Sequence, residues 1–178
     1  MYDNLFSGMR LQQSCDGKNV HLFFFGKMSF LSNFSPSTLV YEDKTFTSAT
    51  QAFEYTKAKF FNDDDAANQI LNLTNTSDMA TLGFHAMMKK KGKQQKEWKE
   101  AAEFIMYNIL KAKFGQNQWL RDELVRTLPL ELVKANPYDK FFGIGMSMNN
   151  GKINCRHSWN GQNVMGKLLE KIRTESLI

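Results

Sequence analysis

The hydrophobic pattern begins with a mostly apolar stretch at Val20–Phe25, which predicts a buried β-strand. The stretch is rich in residues that favour strands, and Gly26 stops it. The pattern predicts a second strand over residues 38–46, with a turn at Glu42–Lys44. A short strand is predicted over residues 130–135.

Helical patterns dominate the rest of the chain. Ser48, Asp63 and Ser77 each precede a segment of helical character, so they are the predicted N-caps of three helices. The longest helix is predicted over residues 94–114, where apolar side chains recur on one face, and Gly115 is expected to end it. The remaining helices are predicted at residues 117–128 and 162–173.

These elements predict an α+β fold, a helix-rich domain of about six helices with a small β-sheet. Strands and helices do not alternate in the way that a doubly wound parallel sheet requires. A chain of 178 residues is long enough for one domain. The mixed, polar residues 1–19 are predicted to form an N-terminal arm, and residues 20–178 are predicted to form the domain.

Composition and charge indicate where the protein acts and which kind of ligand it binds. No segment approaches the roughly 20 apolar residues that span a bilayer, and the first residues lack the pattern of a signal peptide. We therefore expect a cytoplasmic protein with no membrane partner. The net charge of +5 favours anionic ligands. The basic run Lys89–Lys93 predicts either a solvated loop or a contact with phosphate or nucleic acid.

Metal and cofactor signatures are weak in this sequence. Cys15 and Cys155 are expected to be free thiols, because a single disulfide is unusual in a chain without a signal peptide. The three histidines, His21, His85 and His157, lie far apart in sequence, so no metal site is expected unless the fold gathers them. The segment GIGM is too short for a dinucleotide fingerprint, and no cofactor is expected.

Three segments attract attention as candidate ligand sites. The loop Ser32–Phe34 combines polar side chains with an aromatic ring, although a turn with a core phenylalanine would look the same. Residues 138–145 place Asp139 before aromatic residues and glycines, which suits a ligand or an ordinary turn. Residues 159–163 precede the last helix, whose first amides would suit a phosphate, unless the segment is a simple N-cap.

Taken in order along the chain, short motifs resemble those of the NADAR, or YbiA-like, family. FLSNFSP resembles the family's F-S-N-F loop, and TFTSATQAFEYTKAKFF resembles its y-x-S-x-E-x-x-x-Q-x-x-K-a segment. LVKANPYDKFFGIG resembles l-v-E-x-x-x-x-D-x-x-W-G-x-G, and WNGQNVMGKLLEKIR resembles the closing motif. The pair Trp98 and Met106, with KAKFGQN and LRDELVRT, resembles the motifs between these. The match covers residues 22–173.

The resemblance implies an N-glycosidase. Such an enzyme hydrolyses the bond from ribose C1 to a base or amine, in ADP-ribose conjugates or in ribose phosphates of the early riboflavin pathway. It implies a catalytic set of Asp139 and Trp98, to which we add Glu54. The implied substrate-binding residues are Ser32, Asn33, Phe34, Thr50, Lys57, Phe142, Gly143, Gly145, Trp159, Asn160, Gly161 and Asn163.

The sequence departs from the family pattern at chemically important positions. Thr50 and Lys134 stand where the family has glutamate, and Phe142 stands where it has tryptophan. Glu54 follows Thr50 by four residues, so the two share a helix face, and we hypothesise that Glu54 takes over the acidic role. The alternative is that Glu54 is a surface residue or part of a polar network, and that the site is catalytically impaired.

Two classes of function therefore remain open. The first is an active N-glycosidase for an anionic nucleotide or ribose phosphate. The second is a binding module that recognises an ADP-ribose-like nucleotide without hydrolysing it, because acidic groups are lost and a cation is gained. A third interpretation is engagement of nucleic acid, with an ADP-ribosylated base as substrate.

Overall fold

The strand predicted at Val20 is the central strand of a small sheet. The structure is a computed structural model and describes residues 7–90 and 92–177. A 3₁₀ turn spans Arg156–Ser158. The strands and helices follow in the order β1 (Met9–Gln13), β2 (Val20–Phe24), β3 (Pro36–Tyr41), β4 (Lys44–Ser48), α1 (Ala49–Phe60), α2 (Asp64–Asn72), α3 (Thr76–Met88), α4 (Lys93–Gln116), α5 (Gln118–Arg126), β5 (Glu131–Lys134) and α6 (Val164–Glu175).

The described chain divides into two compact units. The first, which we call the terminal unit, takes the residues up to Ser35 and those from Gln118 onwards. The second, the central unit, is Pro36–Asn117. Each unit has its own sheet, because the strands pair as β1-β2-β5 and as β3-β4.

In the terminal unit, β2 pairs with β1 in antiparallel and with β5 in parallel orientation. The core on this sheet includes Phe23, Val133 and Ile144, all with 0% exposure. Helix α6 packs on β5 at very close range. A Cβ atom added to Gly166 would lie 1.9 Å from the carbonyl oxygen of Leu132, so only glycine permits this approach.

In the central unit, β3 and β4 form a hairpin whose two connecting residues, Glu42 and Asp43, have φ angles of 46° and 60°. Positive φ at both positions is typical of a two-residue hairpin turn. Helices α1, α2 and α3 pack around small residues such as Ala58 and Ala67. Small side chains let the helix backbones approach one another.

Two side chains at the end of α4 bind the edge of β3. The Gln116 amide accepts the N–H of Val40 at 2.7 Å and donates to its carbonyl at 2.8 Å. Asn117 donates to the carbonyl of Thr38 at 3.1 Å. These bonds satisfy edge groups of the strand and place the long helix beside the hairpin.

The predicted fold class is confirmed: the described chain is an α+β structure with six helices and small sheets. Ser48 and Asp63 are N-caps as predicted, since their side chains accept the N–H groups of Gln51 and Ala66. The predicted cap Ser77 is wrong, because Asn75 accepts the N–H of Ser77 and the helix begins at Thr76.

The predicted end of the long helix at Gly115 is also wrong. Helix α4 continues through Gly115 to Gln116, where the bonds to β3 hold its last turn. The pattern missed β1 as well, which lies in the segment predicted to be an arm. Residues 1–6 of that arm lie outside the described residues, and the boundary at residue 20 stays a prediction.

The sequence led us to expect free thiols at the two cysteines, and this expectation is wrong. Cys15 and Cys155 are joined by a disulfide, with Cα atoms 5.1 Å apart and a separation of 140 residues. Long-range folding brings them together, and sequence spacing carries no information about that.

Candidate functional site

Lys134 is the centre of a cluster of predicted site residues in the terminal unit. It is the last residue of β5, and only 4% of its surface is exposed. Its ammonium lies 5.9 Å from the ring centroids of both Phe34 and Phe142. The same ammonium lies 3.3 Å from the carboxylate of Asp139. We call these four residues the Lys134 cluster.

Asp139 shapes the turn that follows β5. One carboxylate oxygen accepts the N–H groups of Phe141 and Phe142 at 3.0 and 2.9 Å. The other oxygen faces Lys134, and the side chain keeps 25% exposure. Asp139 therefore caps a turn, which was the alternative reading of the sequence, and also presents a partly accessible carboxylate beside a cation.

The loop Ser32–Phe34 brings an aromatic ring to this cluster. The Ser32 hydroxyl accepts the N–H of Phe34 at 3.1 Å, and Ser32 and Asn33 are buried. Phe34 is half-buried, so its ring is partly accessible. The loop is thus a side-chain-stabilised turn that directs Phe34 towards Lys134.

Close backbone contacts explain the glycines of the candidate site. A Cβ atom on Gly161 would lie 2.5 Å from the carbonyl oxygen of Gly143, and one on Gly143 would lie 2.8 Å from that of Asp139. Gly145 has a φ of +64° and packs against Asn160, whose N–H donates to Ile144 at 2.9 Å. These glycines allow two loops to pack together beneath the Lys134 cluster.

The start of α6 differs from the expected phosphate site. The N–H groups of Asn163, Val164 and Met165 donate to the carbonyls of Gly143, Phe141 and Phe142, at 3.0–3.1 Å. These amides therefore donate to the neighbouring loop, and the phosphate contact expected there stays a prediction.

The side chains of Asn163 and Trp159 form hydrogen bonds with backbone groups near the Lys134 cluster. Asn163 occupies the N-cap position in a left-handed conformation, but its side chain makes no cap bond. Its amide instead accepts the N–H of Lys134 and donates to the carbonyl of Leu132. Trp159 is half-buried and donates its indole N–H to Ile153 at 2.7 Å.

A second group of predicted site residues lies in the central unit, around Glu54 on α1. Glu54 is only 7% exposed, and its carboxylate lies 2.6 Å from the Lys57 ammonium. That ammonium lies 5.0 Å from the Phe53 ring and 5.9 Å from the Trp98 ring. We call these residues the Glu54 cluster.

Gly83 on α3 makes the position of Glu54 possible. A Cβ atom at residue 83 would lie 1.9 Å from the Glu54 carboxylate oxygen. The carboxylate therefore fits directly against the backbone of α3. Glu54 is held in a buried polar network, and is not a surface residue.

Trp98 and Thr50 are buried in the central unit. Trp98 is 3% exposed and packs against Phe53 and Phe60, with ring centroids 5.3 Å apart in each case. Thr50 is 1% exposed, one helical turn before Glu54. Their predicted roles in catalysis and binding stay predictions.

The basic run offers fewer available charges than its sequence indicates. Lys89 lies 2.6 Å from Asp63, and Lys93 lies 3.6 Å from Glu97. The hydrogen bond from Lys89, together with the N–H of Ala66, lowers the pKa of Asp63. Lys91 lies outside the described residues. The described part of the run thus includes lysines that already have acidic partners.

Comparison with known proteins defines the class. The fold is that of a helix-rich α+β protein, and a solved NMR structure of the Escherichia coli protein YbiA shares it with a TM-score of 0.67. That match covers 97% of this chain and 90% of the other at 24% identity, so it concerns the fold alone. Among the described residues, no helix is long and apolar enough to cross a membrane.

The chain belongs to the NADAR domain family, whose sequence profile matches residues 22–176. It is 38% identical over 130 residues to Protein irg-1 of Caenorhabditis elegans, covering 73% of this chain and 60% of that protein. It is 28% identical over 147 residues to N-glycosidase YbiA of Shigella boydii, covering 83% and 81%. The chain thus spans less than two thirds of the length of irg-1.

In the sequence, Lys134 stands out only as a departure from the family pattern, and nothing there points to the role of Gly83 beside Glu54. Lys134 looked like a strand residue in LELVKA, and its contacts with two rings depend on loops far away in sequence. A charged residue at the end of an apolar strand was the available signal.

Proposed function

We propose that this protein is an N-glycosidase that releases a base or an amine from an anionic ribosyl compound, either a ribose phosphate or an ADP-ribose conjugate. Family membership and the relatives that carry the name N-glycosidase support the reaction type. The anionic substrate is supported by the Lys134 cluster. No metal or cofactor is required, because hydrolysis of such a bond needs charge stabilisation and water.

One observation carries the proposal: a buried lysine, whose ammonium lies 5.9 Å from the centroids of two aromatic rings, lies 3.3 Å from a partly exposed carboxylate. The reaction passes through an oxocarbenium-like transition state, which a nearby carboxylate stabilises. In this proposal Asp139 stabilises that charge or orients the attacking water. Lys134 binds a phosphate oxygen, and the rings of Phe34 and Phe142 hold the base or the ribose.

Glu54 is the second candidate carboxylate, and it is argued separately because it belongs to the central unit. Its burial and its fit against Gly83 hold the carboxylate in a fixed position. Fixed charges in sites of low water content stabilise transition states more strongly than mobile ones. We propose that Glu54 replaces the family glutamate whose position Thr50 occupies.

A binding module is the second candidate function, and a specific observation favours it. Each of the two carboxylates, Asp139 and Glu54, has a lysine ammonium as its partner, at 3.3 and 2.6 Å. A carboxylate that is neutralised by lysine stabilises an oxocarbenium ion less well. Such a protein would bind an ADP-ribose-like nucleotide without hydrolysing it.

A turnover assay with binding measurements separates the two functions. The protein is incubated with an ADP-ribosylated nucleobase, an ADP-ribosylated oligonucleotide and a 5-phosphoribosyl amine, and mass spectrometry follows the free base or amine. Calorimetry with ADP-ribose measures binding. Product formation supports the glycosidase, whereas tight binding without any product supports the module and contradicts the glycosidase.

Two variants test whether each carboxylate has a role in catalysis. We expect Asp139→Asn and Glu54→Gln each to lower kcat by about 100-fold or more, as removal of a single electrostatic group does in other enzymes. Glu103→Gln on the exposed face of α4 is the matched control and should retain activity. Activity of Glu54→Gln within twofold of the wild type would exclude a catalytic role for Glu54.

A further inference from the structure

A cavity of about 320 Å³ in the terminal unit is lined by reactive side chains that have no role in the proposed glycosidase. Its wall includes Cys15, His157 and Arg156. The sulfur atoms of Cys15 and Cys155 and a ring nitrogen of His157 all lie within 4.8 Å of one another. Both Cys15 and His157 are exposed, so solutes reach them.

The main chain brings these side chains together independently of the sulfur–sulfur bond. The N–H of Cys15 donates to the carbonyl of Asn154 at 3.1 Å, although the two residues lie at opposite ends of the sequence. The turn before β2 is fixed by Asp16, which accepts the Ser14 hydroxyl at 2.7 Å. His157 lies two residues after Cys155, in the 3₁₀ turn that begins at Arg156. Reduction of the disulfide therefore leaves both cysteines close to His157.

Two thiolates and one imidazole are a complete donor set for a thiophilic metal ion. Zinc sites of the Cys₂His type use three protein ligands and leave the fourth position to water. Tetrahedral bonds of about 2.0–2.3 Å place such donor atoms about 3.5–3.8 Å apart. That spacing lies within the observed 4.8 Å limit, so small side-chain rotations are sufficient.

We propose that the reduced protein binds one thiophilic divalent ion, such as Zn²⁺, through Cys15, Cys155 and His157, and that disulfide formation releases it. The thiolates are the metal ligands, and a disulfide has none, so the two states exclude each other. When a small-molecule disulfide is the oxidant, the atoms and electrons of this reaction balance. The two cysteine thiolates lose two electrons and form the sulfur–sulfur bond, and the oxidant takes up those electrons and two protons to leave as two thiols.

Zinc alone is the probe for this site. The full chain is reduced with a phosphine, the reductant is removed without air, and zinc affinity is measured by competition with a chromogenic chelator. We expect the reduced protein to bind one equivalent, and cobalt substitution to give thiolate-to-metal charge-transfer absorption. The same protein oxidised with a small disulfide should release the zinc, which the chelator reports.

Single-residue variants test the donor set. Cys15→Ser, Cys155→Ser and His157→Asn should each weaken zinc binding at least 10-fold, with circular dichroism to confirm the fold. His85→Asn, which changes an exposed histidine of the central unit, should leave the affinity unchanged. Retention of zinc by the oxidised protein would overturn the proposal, as would equal affinity in the wild type and the His157→Asn variant. Glycosidase activity is not part of this test, so failure of either proposal leaves the other intact.

Discussion

At the scale of single residues, two buried charged side chains, Lys134 and Glu54, each have a partner of opposite charge. Lys134 stands where the resemblance led us to expect glutamate, and it is buried with Asp139 beside its ammonium. Glu54 is buried with Lys57 as its partner. A buried charge without a partner costs several kcal/mol, so each of these side chains depends on its neighbour. The residue identities were readable from the sequence, but their pairing was not.

Gly83 gives the sharpest test of the Glu54 position. We expect Gly83→Ala to destabilise the protein by about 1–3 kcal/mol, because the new methyl group would overlap the Glu54 carboxylate. The matched control is Gly115→Ala on α4, where no atom lies within 4 Å, and it should stabilise by about 0.5–1 kcal/mol. Urea unfolding measures both. Stabilisation by both substitutions would contradict this position of Glu54.

At the scale of elements, the start of α6 is organised by the strand beside it. Asn163 satisfies the N–H of Lys134 and the carbonyl of Leu132, and the first amides of the helix bind the Phe141–Gly143 segment. The sequence predicts the helix, because its apolar period is local. It does not predict that the cap residue turns away from its own helix, since that depends on β5.

The side chain of Asn163 should therefore stabilise the fold through its two hydrogen bonds. Its backbone has a left-handed conformation, which asparagine adopts more readily than most residues. With a φ of 52°, glycine fits this position, whereas alanine adds left-handed strain. We expect Asn163→Gly to lower the free energy of unfolding by about 1–3 kcal/mol, and Asn163→Ala by about 1–2 kcal/mol more. Asn62→Gly, at an exposed residue with a φ of 54°, should change it by less than about 0.5 kcal/mol. Equal unfolding midpoints for the two glycine variants would contradict this role of Asn163.

At the scale of the whole molecule, the sequence predicts the helices more completely than the sheets. Helix caps such as Ser48 and Asp63 act within a few residues, so they are visible in the sequence. The pairing of β2 with β5 joins segments about a hundred residues apart. The contact between Cys15 and Cys155 is longer still. Nothing in the local pattern of β1 indicated that it would pair with β2.

Lys113 on α4 makes the stability of the whole molecule depend on pH. It is fully buried, and burial lowers the pKa of its ammonium to about 7. In the unfolded chain the same group keeps the ordinary value of 10.5. Between these two values the unfolded chain binds more protons than the folded one, so this residue makes stability rise with pH from about 7 towards 10.5. Below the lower value its destabilising effect is complete.

Replacing Lys113 with methionine removes the buried charge and keeps the side-chain length. We expect Lys113→Met to raise Tm at neutral pH, by about 2–4 °C for each kcal/mol of relief, and to raise it less near pH 10. Lys99→Met, at an exposed position of the same helix, should change Tm little at either pH. Calorimetry across this pH range measures both variants. A gain that is the same at both ends of the range would show that Lys113 remains charged in the folded protein, and would assign its pKa to the ordinary range.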